Sequence, residues 1–73
     1  MDGVIIDPKI KGGVPVIKGT RVPVRSIVFL YYKKQVSPEE IAIKYYTYVS
    51  LYQIKNAIKW YELNKNNYEG LDL

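Results

Sequence analysis

Between residues 6 and 24 the chain reads I-D-P-K-I-K-G-G-V-P-V-I-K-G-T-R-V-P-V, three glycines and three prolines set among short runs of β-branched residues. No regular helix passes through such a stretch. Proline fixes φ and removes a backbone donor, while glycine raises the entropic cost of ordering the chain. The segment must fold as short strands and tight turns. Val4, Ile5 and Ile6 make a first strand closed by Asp7-Pro8, Gly12-Gly13 turns the chain, residues 14–17 make a second strand, and Lys18-Gly19 leads into a third over 20–24. Pro15 and Pro23 put the last two at edges or ends of a sheet, where a missing ladder donor costs little. The expectation over 1–24 is a β-hairpin or loose meander.

From Val24 onward the periodicity changes. Val24, Ile27, Val28 and Tyr31 follow the i, i+3, i+4, i+7 stripe of one buried helix face, with Leu30 widening it, so a first helix is expected from residue 24 or 25 to 34. Ser37-Pro38-Glu39-Glu40 then starts a second helix. Serine stands at the cap, proline at the first helical position, and Glu40 is placed to complete a capping box, with Ile41, Ala42 and Tyr45 pointing inward. Ser50-Leu51-Tyr52-Gln53 repeats the signal for a third helix reaching about Asn64, whose buried stripe is Leu51, Ile54, Ile58 and Tyr61. The fold class expected is mainly α: a short N-terminal β-hairpin (1–24) followed by a three-helix, homeodomain-like helix-turn-helix unit (25–64) and a short tail (65–73), in a single domain. The stretch from Ala42 to Ile54 is longer than in the tightest units of this kind and has no glycine, so an extended turn through Tyr46-Thr47-Tyr48-Val49 is expected.

A chain of 73 residues has a small core, which makes oligomerisation plausible, and a homodimer is the expected state. It has no cysteine and no histidine, which excludes a disulfide framework and removes the soft metal ligands and the commonest general base. No catalytic residue, metal site or cofactor is expected. Asp7, Glu39 and Glu40 are accounted for by a turn and a cap, and Ser26, Ser37 and Ser50 have no histidine to activate them. The order Lys18-Gly19-Thr20 also fails the phosphate-loop pattern, in which glycine precedes lysine. The longest apolar run, residues 27–32, is far short of the roughly 20 residues a membrane span needs, and Met1-Asp2-Gly3 lacks the basic start of a leader, so no membrane association and a cytoplasmic location are expected.

The net charge of +4 conceals an uneven distribution. Residues 9–59 hold ten lysines and arginines against only Glu39 and Glu40, a surplus of eight. Double-stranded DNA is the simplest polyanionic partner for that surplus, since each neutralised phosphate releases counterions; a solvated lysine surface is the alternative. In a helix-turn-helix unit the last helix presents its N-terminal exposed residues to the major groove. Here that set is Ser50, Tyr52, Gln53, Lys55, Asn56 and Lys59, with Gln53 and Asn56 suited to adenine and the lysines to phosphate or guanine. Arg21 and Arg25 are candidates to clamp flanking phosphates, or in the alternative to pair with Asp7. Eight tyrosines supply apolar area with one polar end each, most of them expected in the core or at an interface. A protein-interaction module, docking on a partner enzyme through Tyr52, Trp60 and Tyr61 without binding DNA, is the competing reading.

The chain also resembles a known family. Asp7-Pro8, Gly12-Gly13-Val14-Pro15-Val16-Ile17, Gly19-Thr20-Arg21-Val22-Pro23-Val24, Ser37-Pro38-Glu39-Glu40-Ile41, and Ile54 with Ala57 look like the domain-of-unknown-function family 433, whose members resemble VapB-type antitoxins. The resemblance implies a hairpin followed by a helix-turn-helix that binds DNA and, as the antitoxin of a type II toxin-antitoxin system, autoregulates its operon and in some cases neutralises a PIN-domain toxin. Two departures stand out. The family usually carries glycine just before the Ser-Pro-Glu-Glu cap, where this chain has Gln35-Val36, and Tyr-Pro in the turn after the second helix, where it has Tyr45-Tyr46. The residues after Asn64, ending Glu69-Gly70-Leu71-Asp72-Leu73, offer little length for wrapping a toxin.

Overall fold

The structure, a computed structural model, describes residues 3–67. The end of the tail, Tyr68 included, lies outside the described residues. Strands β1 (Val4–Ile5) and β2 (Val16–Ile17) pair antiparallel, with Val4 opposite Ile17 and Ile5 opposite Val16. Between them the Asp7 carboxylate accepts the Lys9 N–H at 2.9 Å, and a short 3-10 turn at Lys11–Gly13 takes positive φ at all three of its residues.

The third strand expected over 20–24 does not form. That segment meets β2 at a single bridge, Val16 with Pro23, flanked by Ile17 N–H to the Val22 carbonyl (2.9 Å) and Val24 N–H to the Pro15 carbonyl (2.9 Å). Pro15 has no N–H to return the bond to Val24, and Val22 N–H is diverted from Ile17, so the ladder stops at one bridge and β2 is shorter than the expected 14–17. Pro23, in the non-hydrogen-bonded pair, would face a donor away from β2 in any case. A side chain takes over instead: the Thr20 hydroxyl donates to the Ile17 carbonyl (2.8 Å) and accepts from Val22 N–H (3.0 Å), while Gly19 supplies φ +82° for the turn.

Three helices follow. α1 (Val24–Val28) continues as a π-helical turn at Phe29–Lys33, α2 (Pro38–Glu40) continues as a second π turn at Ile41–Tyr45, and α3 (Leu51–Asn64) is regular throughout. The π turns are closed by Lys34 N–H to the Phe29 carbonyl (3.2 Å) and Tyr46 N–H to the Ile41 carbonyl (2.8 Å). Each such bond admits one more residue to the turn. The inward position after Ile41 therefore falls on Tyr46, which packs against the core, and not on Tyr45, which is half exposed. The first helix exits through Gln35 at φ +56°, with Val36 N–H returning to the Leu30 carbonyl at 3.0 Å. This is a Schellman-like closure, one residue wider because the last turn is π-helical.

One hydrophobic cluster joins Val4, Ile17 and Val22 of the hairpin region to Val24, Ile27 and Val28, to Ile41 and Val49, and to Ile54, Ala57, Ile58, Trp60 and Tyr61 of α3. Ile17, Ile27, Ile41 and Ile54 are fully buried, each stabilising the fold by about 1.5–3 kcal/mol. α3 packs chiefly across α1 and also touches both parts of the second helix. That seat fixes which of its faces is free.

Candidate nucleic-acid interface

α3 starts where its cap dictates. The Ser50 hydroxyl accepts the Gln53 N–H at 3.1 Å and the Gln53 side-chain oxygen accepts the Ser50 N–H at 2.9 Å, a complete capping box. The box expected at Ser37 is only half made. Its hydroxyl accepts the Glu40 N–H at 3.1 Å, but the Glu40 carboxylate turns to Lys44 Nζ, also at 3.1 Å.

With successive residues about 100° apart round the axis, burying Ile54, Ala57, Ile58 and Tyr61 leaves the opposite face to Tyr52, Lys55, Lys59 and Leu63. Tyr52 is 76% exposed and Leu63 64%. Lys55 Nζ stands 3.8 Å from the Glu39 carboxylate, both ends in solvent, and Lys59 has no ion-pair partner among the described residues. Both lysines flank a shallow hollow over Tyr31, Pro38 and Ile58, with Glu62 at its edge.

Other expected site residues stand elsewhere. Gln53, about 100° round from Tyr52, is half buried with its oxygen committed to the cap. Asn56 is half buried, and its amide nitrogen lies so close to Gly3 that a Cβ there would collide with it. Arg21 borders a groove with Ile5, Ile10, Thr20 and Tyr48, and Arg25 lines another with Phe29, Leu30, Tyr45 and Tyr46. Neither pairs with Asp7, whose carboxylate caps Lys9. Trp60 and Tyr61, expected to dock on a partner in the competing reading, are buried in the core, whereas Leu51 is only half buried.

Two features of this face escaped the sequence reading. Leu63 falls off the inward stripe, a signal available in the spacing. The Tyr32 hydroxyl donates to the Glu62 carboxylate, tying the π turn of the first helix to α3. That hydrogen bond, helped by partial burial and the nearby negative charge, raises the phenol to about 12. Nothing in a separation of thirty residues announces such a pair.

Among the described residues no helix is long and apolar enough to cross a membrane, and no group of three metal-ligating side chains comes together. No curated protein matches the chain. The crystal structure of a DUF433 member protein from Anabaena variabilis is similar, with a TM-score of 0.74 and 26% sequence identity over 90% of this chain. This chain spans 63% of the length of that relative. Residues 4–61 match the family described as "Protein of unknown function (DUF433)", a match that runs from the first residue of β1 to the last buried residue of α3, and the chain belongs to that family.

Proposed function

We propose that this protein binds double-stranded DNA through the outward face of α3 and, as the antitoxin of a type II toxin-antitoxin pair, represses its own operon. The observation that carries the DNA reading is the free face of a 14-residue helix, about 21 Å long, which offers Tyr52, Lys55 and Lys59 to a groove while the first two helices brace its other side. The Lys55–Glu39 pair is long and solvated, so a phosphate displaces Glu39 at little cost. The Ser50 cap holds the helix start in place. A symmetric homodimer would set two such helices on successive half-sites. The antitoxin role and a PIN-domain partner rest on the family resemblance.

The test is binding of the purified protein to the DNA upstream of its own gene and to random duplex, at low and near-physiological salt. Preference for the upstream DNA with a steep salt dependence supports the reading; equal weak binding, or none, refutes it. A partner-binding role without DNA has one observation in its favour, the exposure of Ile43 and Tyr48, each 71%, alongside Tyr52 and Leu63.

A further inference from the structure

Away from the outward face of α3 a groove of about 560 Å³ opens between the first and second helices, lined by Arg25, Ser26, Phe29, Leu30, Tyr45 and Tyr46. We propose that it is a docking site for an extended acidic segment of another protein, a carboxylate flanked by aliphatic or aromatic side chains.

Both π turns among the described residues have one end on this groove. Phe29 opens the first and Tyr45 closes the second. In a plain α-helix Tyr45 would take the inward position after Ile41; the wider turn hands that place to Tyr46 and leaves Tyr45 on the groove wall, 50% exposed, opposite Phe29 at 43%. Such turns are uncommon and recur at functional sites.

The charge of the groove selects the occupant. Arg25 is its only charged lining residue and has no ion-pair partner among the described residues. A guanidinium beside apolar and aromatic walls is matched by a carboxylate, which it holds bidentately. A second copy of the chain fits poorly, because a two-fold contact through this groove sets Arg25 against its symmetry mate on molecules that each carry +4. Duplex DNA fits poorly as well, since a phosphate track needs several cations and the groove has one. No residue lining it belongs to α3, so the inference stands or falls apart from the DNA reading.

The test uses isotope-labelled full chain and two capped hexapeptides, Leu-Glu-Phe-Leu-Asp-Leu and its counterpart with lysine in place of both acids. The acidic peptide should shift amides of residues 25–30 and 45–46 and leave α3 unmoved. Arg25→Glu should weaken it at least tenfold and strengthen the lysine peptide, Arg25→Lys should retain part of the affinity, and Phe29→Ala should weaken both. These side chains lie at the surface, and far-UV circular dichroism confirms that each variant is folded. Shifts that are absent or centred on α3, equal binding of the two peptides, indifference to Arg25→Glu, or displacement of the peptide by random duplex would each overturn the proposal. So would a concentration-dependent dimer in sedimentation that Phe29→Ala abolishes, which would make the groove a self-interface.

Discussion

Gln35 sits at φ +56°, where an L-residue with a Cβ meets the following carbonyl and pays about 1–2 kcal/mol. It holds this conformation because Val36 must follow, buried at 8% exposure with its N–H returned to the Leu30 carbonyl. The side chain of Gln35 is exposed and makes no hydrogen bond among the described residues. Gln35→Gly should therefore remove the strain and lose nothing in contacts. Against that stands the greater freedom of glycine in the unfolded chain, about 0.5–1 kcal/mol. Taking the middle of each range, the difference is a net stabilisation of about 0.75 kcal/mol, a rise in Tm of about 3–6 °C for a domain of this size. Urea and thermal unfolding followed by circular dichroism measure it. Gln35→Ala is the decisive control, since it trims the side chain but keeps the Cβ, and its stability should stay near that of the parent. A glycine variant no more stable than the parent, or an alanine variant that gains as much, would refute the strain argument.

Ser50→Ala should cost about 1 kcal/mol through loss of the cap on α3, and Gln53→Ala should lower stability while leaving preference for upstream over random DNA unchanged, read by urea unfolding and by competition binding. Lys55→Ala and Lys59→Ala should each weaken binding to all duplexes alike and flatten the salt dependence by about one unit; an unchanged slope would remove that lysine from the interface. Glu62→Ala should bring the Tyr32 phenol down from about 12 toward its ordinary value, followed by the pH dependence of its ring resonances. A raised phenol favours the protonated side chain in the folded state, so its contribution is complete below about pH 10 and lost as pH climbs through about 12; the stability difference between parent and Glu62→Ala should shrink across that window.

The helices were legible because their signals are local. The Ser50 box depends on two residues three apart, and the stripes of Val24, Ile27, Val28 and of Ile54, Ile58, Tyr61 need only a helical period. The π turns were not. Each contains or abuts adjacent tyrosines, Tyr31-Tyr32 and Tyr45-Tyr46, of which one packs on the core and the other faces out. Two neighbours of equal hydropathy carry no information on which turns inward, and the choice between an i→i−4 and an i→i−5 bond is settled by packing against distant elements. The third strand failed for a reason the residues do contain. Pro15 and Pro23 argue for edge positions, but only the structure has Thr20 bonding both sides of the turn in place of a ladder.

The same division of local from tertiary information bears on how α3 could read DNA. Gln53 completes the capping box and was also a candidate to bind adenine, yet its half-buried side chain is turned back to the helix start, where its oxygen accepts the Ser50 N–H, and does not extend toward a base edge. Asn56 is crowded by Gly3, a contact between opposite ends of the domain that no periodicity contains. What remains outward is Lys55 and Lys59, which suit phosphate, and Tyr52, which offers one hydroxyl and a ring. A surface so composed gains affinity from charge and little discrimination from base edges. If the protein does select its own upstream DNA, that selectivity must come from Tyr52, from the spacing of two α3 helices in a dimer, or from the deformability of the site itself. Operator variants altered at the contacted bases should then cost less than variants altered in half-site spacing, and competition binding against both sets separates the two; the reverse order would return the reading of bases to α3.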